Sequence, residues 1–154
     1  MMKIYILLTL ISSLLFSKVT VAKQIEQFSI KDQFEQTHKL EKDTKKIIFA
    51  FSKSSGNKVR NFLSKQSLNY LTSKEILFVL DVSQMSLIRR WFVLDDLEKD
   101  KYSILLLEDE KISQNFIDEK RTDKVMVVSL SNLKVIGIDY LDTIDDLQNI
   151  IENN

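Results

Sequence analysis

Short runs of consecutive apolar residues alternate along the chain with segments of mixed polarity. Three of these runs lie within residues 47–51, 75–80 and 102–107. Each is long enough for a strand and too short for a helix, and an unbroken apolar run is typical of a strand buried on both faces. The pattern predicts three inner strands of a sheet.

Between and after these runs, apolar positions recur at helical spacing. Helices are predicted after the polar cluster 54–57, over residues 83–92 and at the C-terminal end. The last begins at Thr143, which stands three residues before Asp146 at the spacing of a capping box. The apolar positions assigned to these helices are Val59, Phe62, Leu63 and Tyr70, then Leu87, Ile88, Trp91 and Phe92, and finally Ile144, Leu147, Ile150 and Ile151.

Two further regions have the pattern of hairpins. Residues 28–40 predict a short surface hairpin, and residues 125–130 and 134–138 predict two antiparallel strands joined by a tight turn. An alternation of strands and helices, followed by a late hairpin and a final helix, predicts an α/β fold with a central mixed sheet. We expect residues 23–154 to form a single domain.

The N-terminal segment has the pattern of an export signal. Lys3 precedes an apolar run over residues 4–16, and the small residues Thr20 and Ala22 follow. We expect a signal peptide at residues 1–22 and a periplasmic protein. An uncleaved signal would instead anchor the chain in the inner membrane, although the apolar run is short for a bilayer.

The amino-acid composition excludes several classes of protein function. The chain has no cysteine and one histidine, His38, which excludes disulfide scaffolds, thiol oxidoreductases, thiol peroxidases, iron–sulfur clusters and Cys-ligated zinc. A Ser-His-Asp hydrolase is not expected either, because His38 would be its sole possible base. Cleavage after Ala22 removes Lys3 and Lys18 and leaves 20 basic against 22 acidic side chains, so nucleic acid is not an expected partner. No catalytic residue, metal or cofactor is predicted.

One candidate binding site is a polar cluster at a predicted helix start. It consists of Ser54, Ser55, Gly56 and Asn57. Such residues cap a helix, and the N–H groups and positive dipole end of its first turn can also bind an anion. Both interpretations stay open.

A second candidate is Arg89, Arg90 and Trp91, whose composition is enriched at protein interfaces. The alternative is a core tryptophan beside two solvated arginines, because Trp91 is in phase with Leu87 and Ile88. Acidic side chains also cluster later in the chain, and we interpret them as solvated charges, with a calcium site as the alternative. They are Asp95, Asp96, Glu98, Asp100, Glu108, Asp109 and Glu110.

The order of elements, together with the strand–helix junction at residues 49–58, resembles the thioredoxin-like superfamily, in particular its peroxiredoxin and thiol-disulfide members. The resemblance implies a three-layer sandwich. It places Ser54 and Asn57 at the two cysteine positions of the active-site turn, and it places residues 121–124 where the superfamily has a cis-proline. The chain has neither cysteine nor proline, so the resemblance implies the fold without thiol chemistry.

Residues 81–85, followed by Leu87, Ile88 and Phe92, are also similar to exported bacterial thioredoxin-like proteins sometimes labelled FAD/FMN-containing dehydrogenases. With only two glycines, the chain cannot build a glycine-rich dinucleotide turn. The leading expectation is an exported, redox-inactive domain that binds an envelope protein or a small ligand, or serves as a scaffold. A non-thiol enzyme such as a flavin-linked oxidoreductase is the alternative, and a periplasmic immunity or stress protein is a third.

Overall fold

A computed structural model describes residues 18–153, so most of the predicted signal peptide, residues 1–17, lies outside the described residues. The strands are β1 (Ser29–Lys31), β2 (Thr37–Lys39), β3 (Lys46–Ala50), β4 (Ile76–Asp81), β5 (Leu105–Leu107), β6 (Val125–Ser131) and β7 (Lys134–Leu141). The helices are α1 (Lys53–Leu63), α2 (Tyr70–Ser73), α3 (Leu87–Leu97), α4 (Glu110–Phe116) and α5 (Ile144–Glu152).

Five strands form one mixed sheet in the order β5-β4-β3-β6-β7. Strands β3, β4 and β5 are parallel, and β6 pairs antiparallel with both β3 and β7. The other two strands, β1 and β2, form a separate antiparallel hairpin in which Ile30 pairs with His38. The predicted class is confirmed: parallel strands precede an antiparallel hairpin and a C-terminal helix.

Side chains of the central strand β3 alternate between two apolar cores. Ile48 and Ala50 pack with residues of α1, α3 and α5 on one face of the sheet. Ile47 and Phe49 pack with residues of β1 and α4 on the other. Every residue of β3 is buried, which explains the apolar run that begins at Ile47. With helices on both faces of the sheet, the fold is a three-layer sandwich.

Residues 19–25 lie against the start of β7. The N–H of Ala22 donates to the Val135 carbonyl at 2.8 Å, and the N–H of Ile25 donates to the Leu133 carbonyl at 2.9 Å. The N–H of Val19 donates to the carbonyl of Asn115 at 2.7 Å. The predicted cleavage site after Ala22 therefore falls inside a docked segment, and cleavage there stays a prediction.

Several elements differ from the sequence prediction. Helix α3 spans Leu87–Leu97, where the pattern predicted residues 83–92. Helix α1 ends at Leu63, and Tyr70 begins the separate helix α2. Helix α4 lies in a segment for which we predicted no helix, because a seven-residue helix carries too little periodicity to be recognised. Strand β7 continues to Leu141 along residues that are only partly buried. Within residues 18–153, no helix is both long and apolar enough to cross a membrane.

Candidate functional site

The start of α1 is held by two serines. Ser52 is the N-cap, with extended backbone, and its Oγ accepts from the N–H of Ser55 at 3.2 Å. In return, the N–H of Ser52 donates to Ser55 Oγ at 3.1 Å. This reciprocal capping box satisfies donors that a helix start otherwise leaves unpaired.

The same serine also ties the helix start to the loop before β6. Ser55 Oγ lies 3.1 Å from the carbonyl oxygen of Thr122, to which it can donate. One helical turn later, Lys58 Nζ donates to the Asp123 carbonyl at 3.1 Å. The loop 121–124, which the resemblance aligns with the cis-proline loop, is thus fixed by side chains of α1, and every peptide bond of residues 18–153 is trans.

The four predicted binding residues do not converge on one point. Ser54 and Asn57 are exposed, whereas Ser55 and Gly56 are buried. A Cβ added to Gly56 would lie 3.2 Å from Leu80 Cδ1, so this residue closes the packing of the helix on the sheet. Only Ser54 and Asn57 remain for contacts with a ligand or partner.

The two side chains that meet are Ser52 and Ser55, whose Oγ atoms lie 3.1 Å apart. A dithiol of the CxxC type also has two side chains three residues apart at a helix start. Sequence reasoning overlooked Ser52, although the S-x-x-S spacing directly after a buried strand is itself a signal for a helix start. The side chains that meet at this helix start are therefore two residues earlier in the chain than Ser54 and Asn57, whose assignment to the cysteine positions stays a prediction.

Among residues 18–153, these hydroxyls form their hydrogen bonds with each other and with backbone groups, and none with His38. The sole histidine, His38, lies on the β1–β2 hairpin, where its Nε2 is 2.7 Å from Asp32 Oδ2. Asp32 Oδ1 accepts from the N–H groups of Phe34 and Gln36 at 2.9 and 3.0 Å. Burial opposes ionisation of Asp32, but the hydrogen bonds from His38 and Gln36 outweigh it and lower the pKa of this carboxyl. The pair stabilises the hairpin turn.

Arg90 holds the start of α3 against the end of β4. Its Nη2 donates to the carbonyl of Val82 at 3.1 Å, and its Nη1 lies 2.8 Å from Glu108 Oε2. Near them, Ser113 Oγ donates to Asp81 Oδ2 at 2.6 Å. Arg90 therefore differs from the exposed Arg89: the interpretation of both as solvated arginines is wrong for Arg90.

Trp91 does not lie in the core. It is 67% exposed, and its ring centroid lies 5.3 Å from that of Phe92, which is 64% exposed. Leu87 and Ile88, one turn earlier, are 79% and 74% exposed. We call these four residues the α3 outer face. The inward face is formed by Arg90, Val93, Leu94 and Leu97, which follow each other at spacings of three, one and three residues.

The acidic cluster is divided among separate contacts. Asp96 and Asp100 both bind Arg60, with Asp96 Oδ2 2.8 Å from Arg60 Nη1. Asp109 caps α4 by accepting from the N–H of Lys111 at 2.8 Å. In the described part of the chain, no group of three or more His, Asp or Glu side chains could hold a metal ion.

Two cavities of ligand size border the β1–β2 hairpin. One of 360 Å³ is bordered by His38, Leu71 and Tyr102, and burial, together with the nearby Asp100, raises the pKa of Tyr102 to about 12. The other, of 540 Å³, lies beside Lys31 and Glu108. Both volumes fall in the range of small-molecule sites, but the charges at their rims are of both signs and indicate no ligand class.

Comparisons with known proteins bear on the fold. No protein-family model matches the chain, and no curated protein matches its sequence. Among solved structures, peroxidoxin BcpB from Mycobacterium tuberculosis is similar with a TM-score of 0.55 at 11% identity, over 85% of this chain and 92% of that chain. A peroxiredoxin-like protein from Aquifex aeolicus matches with a TM-score of 0.55 at 10% identity, over 88% of each chain.

A third similar structure is the thioredoxin domain of a thiol-disulfide oxidoreductase from Bacteroides vulgatus. Its TM-score is 0.51 at 10% identity, and the match covers 88% of this chain and all of that domain, 100%. Likeness at such low identity shows the fold and not the activity. The described chain therefore has a thioredoxin-like fold, built without cysteine.

Proposed function

We propose that the chain is an exported, redox-inactive thioredoxin-like domain that acts by binding another protein of the cell envelope. Composition supports the absence of thiol-disulfide exchange, because no thiol is present to react with a disulfide. At the helix start, the hydroxyls of Ser52 and Ser55 are used to cap α1 and to hold residues 121–124. At this end of the sheet, the two serine hydroxyls therefore have structural roles.

The α3 outer face carries the proposal. Four large apolar side chains, each about two-thirds exposed or more, are adjacent on two turns of one helix. A contiguous apolar patch of this kind on a soluble domain marks an interaction site, whereas scattered apolar residues do not. Tryptophan and arginine are among the residues most enriched at the energetic centres of protein interfaces. Trp91 belongs to the α3 outer face, and the exposed Arg89 lies on the same helix.

Export is supported by the N-terminal pattern of Lys3, the apolar residues 4–16 and the small residues before Lys23. Fractionation of cells expressing the tagged full chain should place the protein in the periplasm. Mass spectrometry of its N-terminus should then find Lys23 first if the signal is cleaved. A protein recovered in the cytoplasm would contradict export.

The binding role is tested by a photoactivatable amino acid placed at position 91 of the full chain in living cells. The matched control carries it at position 68, because Leu68 is 68% exposed and Trp91 is 67% exposed. We expect a discrete adduct on illumination at position 91 and none at position 68. Equal labelling at both positions, or none at either, would contradict a specific binding face.

The flavin-linked alternative predicts a coloured protein. Absorbance of the purified protein, before and after incubation with FMN or FAD, tests it directly. A colourless protein whose melting temperature does not change with either flavin supports the binding role, since a ligand that binds the native state raises that temperature. Flavin released on denaturation would overturn it.

A further inference from the structure

The α3 outer face has a size that one more protein helix can cover. Two aromatic and two aliphatic side chains that are 64–79% exposed present on the order of 500 Å² of surface. Two such faces packed together bury roughly 1,000 Å², which is the lower limit for a specific interface and corresponds to a dissociable pair. Helices pack by inserting such side-chain ridges into each other's grooves.

Charges along α3 complement those of a second α3 that runs in the opposite direction. Arg89 lies in its first half and Asp95 in its second half, and both are exposed. Among the described residues, neither has a salt-bridge partner, whereas Arg90 is paired with Glu108 and Asp96 with Arg60. Arg89 and Asp95 are therefore the charges of this helix that are available to a partner.

We infer that the occupant of the α3 outer face is a second copy of this chain, packed with its α3 antiparallel around a twofold axis near Trp91 and Phe92. This inference rests on the proposed binding role of the α3 outer face and identifies the bound envelope protein as a second copy of this chain. In that arrangement, Arg89 of each copy comes within reach of Asp95 of the other, and each contact occurs twice, as an isologous interface requires. The antiparallel orientation also opposes the two helix dipoles favourably.

The inference is tested by sedimentation velocity of protein purified from cells that express the full chain. The wild type should change from monomer to dimer as its concentration rises through the micromolar range, because the area is small. Trp91 is the sole tryptophan, so its fluorescence should shift to shorter wavelength over the same range. Trp91→Glu should stay monomeric, and the equally exposed control Leu68→Glu should dimerise like the wild type.

A charge-reversal cycle tests the orientation. Arg89→Asp alone and Asp95→Arg alone should each weaken the dimer about tenfold or more, because each creates a like-charge contact. The double variant should recover dimerisation to within about threefold of the wild type, since the pair is restored with opposite sense. Failure of the double variant to recover would overturn the antiparallel arrangement.

Labelling at position 91 separates failure of the dimer from failure of the proposed function. A wild type that remains monomeric at all concentrations, while position 91 still forms an adduct with a different protein, would overturn the dimer and leave the binding function intact. A monomer with no adduct at position 91 would contradict both. Binding of the wild type, but not of Trp91→Glu, to phosphatidylglycerol vesicles in the absence of dimerisation would overturn the dimer in favour of a membrane surface.

Discussion

Cysteines introduced at positions 52 and 55 should form a disulfide, whereas cysteines at 54 and 57 should remain reduced. The Oγ atoms of Ser52 and Ser55 lie 3.1 Å apart because Ser52 is an extended N-cap residue that folds back on the first turn. Ser54 and Asn57 both lie inside the regular helix, where Cβ atoms three residues apart are about 5–6 Å from each other. A disulfide needs a Cβ separation of about 3.5–4.5 Å.

The magnitude follows from the contacts that the two serines make. Loss of the capping box should cost about 1–2 kcal/mol, and loss of the Ser55 bond to the Thr122 carbonyl should cost about 1 kcal/mol. The reduced variant Ser52→Cys/Ser55→Cys should therefore unfold about 2–3 kcal/mol more easily than the wild type. Closure of so short a loop returns about 2 kcal/mol in the chain-entropy account, so the oxidised variant should approach the stability of the wild type.

Urea unfolding with and without dithiothreitol measures this difference, and thiol titration of the native protein counts the free sulfurs. The pair Ser54→Cys/Asn57→Cys is the control, because it introduces the same atoms on the same helix. Two free thiols in the 52/55 variant, together with a disulfide in the 54/57 variant, would refute the reasoning and support Ser54 and Asn57 as the cysteine positions.

Three further changes test individual contacts. Asp32→Ala should lower the free energy of unfolding by about 2–4 kcal/mol at pH 7, because two backbone N–H groups lose their acceptor. The folded-state pKa of Asp32 is lowered. The free energy that its ionised form adds to stability is therefore present above the ordinary carboxyl pKa and is lost as pH falls through the lowered value. The deficit of Asp32→Ala should accordingly shrink when urea unfolding is repeated near pH 3. Arg90→Leu should lower the free energy of unfolding in urea by about 1–3 kcal/mol. Arg89→Leu should lower it by less than about 0.5 kcal/mol at a concentration where the protein is monomeric. Equal losses for the two variants would contradict the assigned contacts. A chain that begins at Lys23 should melt below one that begins at Lys18. The difference should be equivalent to about 1–3 kcal/mol, because the bonds of Val19 and Ala22 to the rest of the domain are lost. Identical melting would show that residues 18–22 add no stability.

The elements that sequence reasoning predicted are those whose pattern has a single physical cause. Strand β3 is apolar from Ile47 to Ala50 because both of its faces are buried, so its run could be recognised without knowing what covers it. The start of helix α5 could be recognised because Thr143 and Asp146, which form its reciprocal capping bonds, are close in sequence. In both cases, a few neighbouring residues contain all the information needed.

The start of α1 shows where local information is insufficient. The segment after β3 contains three serines, a glycine and an asparagine, and any of several could begin the helix. The choice of Ser52 depends on where β3 ends and on the carbonyl of Thr122, which is 67 residues distant from Ser55 in sequence. A polar cluster predicts that a helix begins, but tertiary contacts decide at which residue.

Helix α3 shows more clearly that local sequence is insufficient. Its sequence contains two apolar stripes, and only one of them can face the sheet. Periodicity alone does not choose between Leu87, Ile88, Trp91 and Phe92 on one side and Val93, Leu94 and Leu97 on the other. Arg90 lies on the second side, and its bonds to the Val82 carbonyl and Glu108 need that side to face the end of β4. An arginine with such fixed donors is oriented by its acceptors, so the helix turns its larger aromatic residues outward. The stripe of Leu87, Ile88, Trp91 and Phe92 is therefore not required by the core, and this is the reason we propose a partner outside the domain for it.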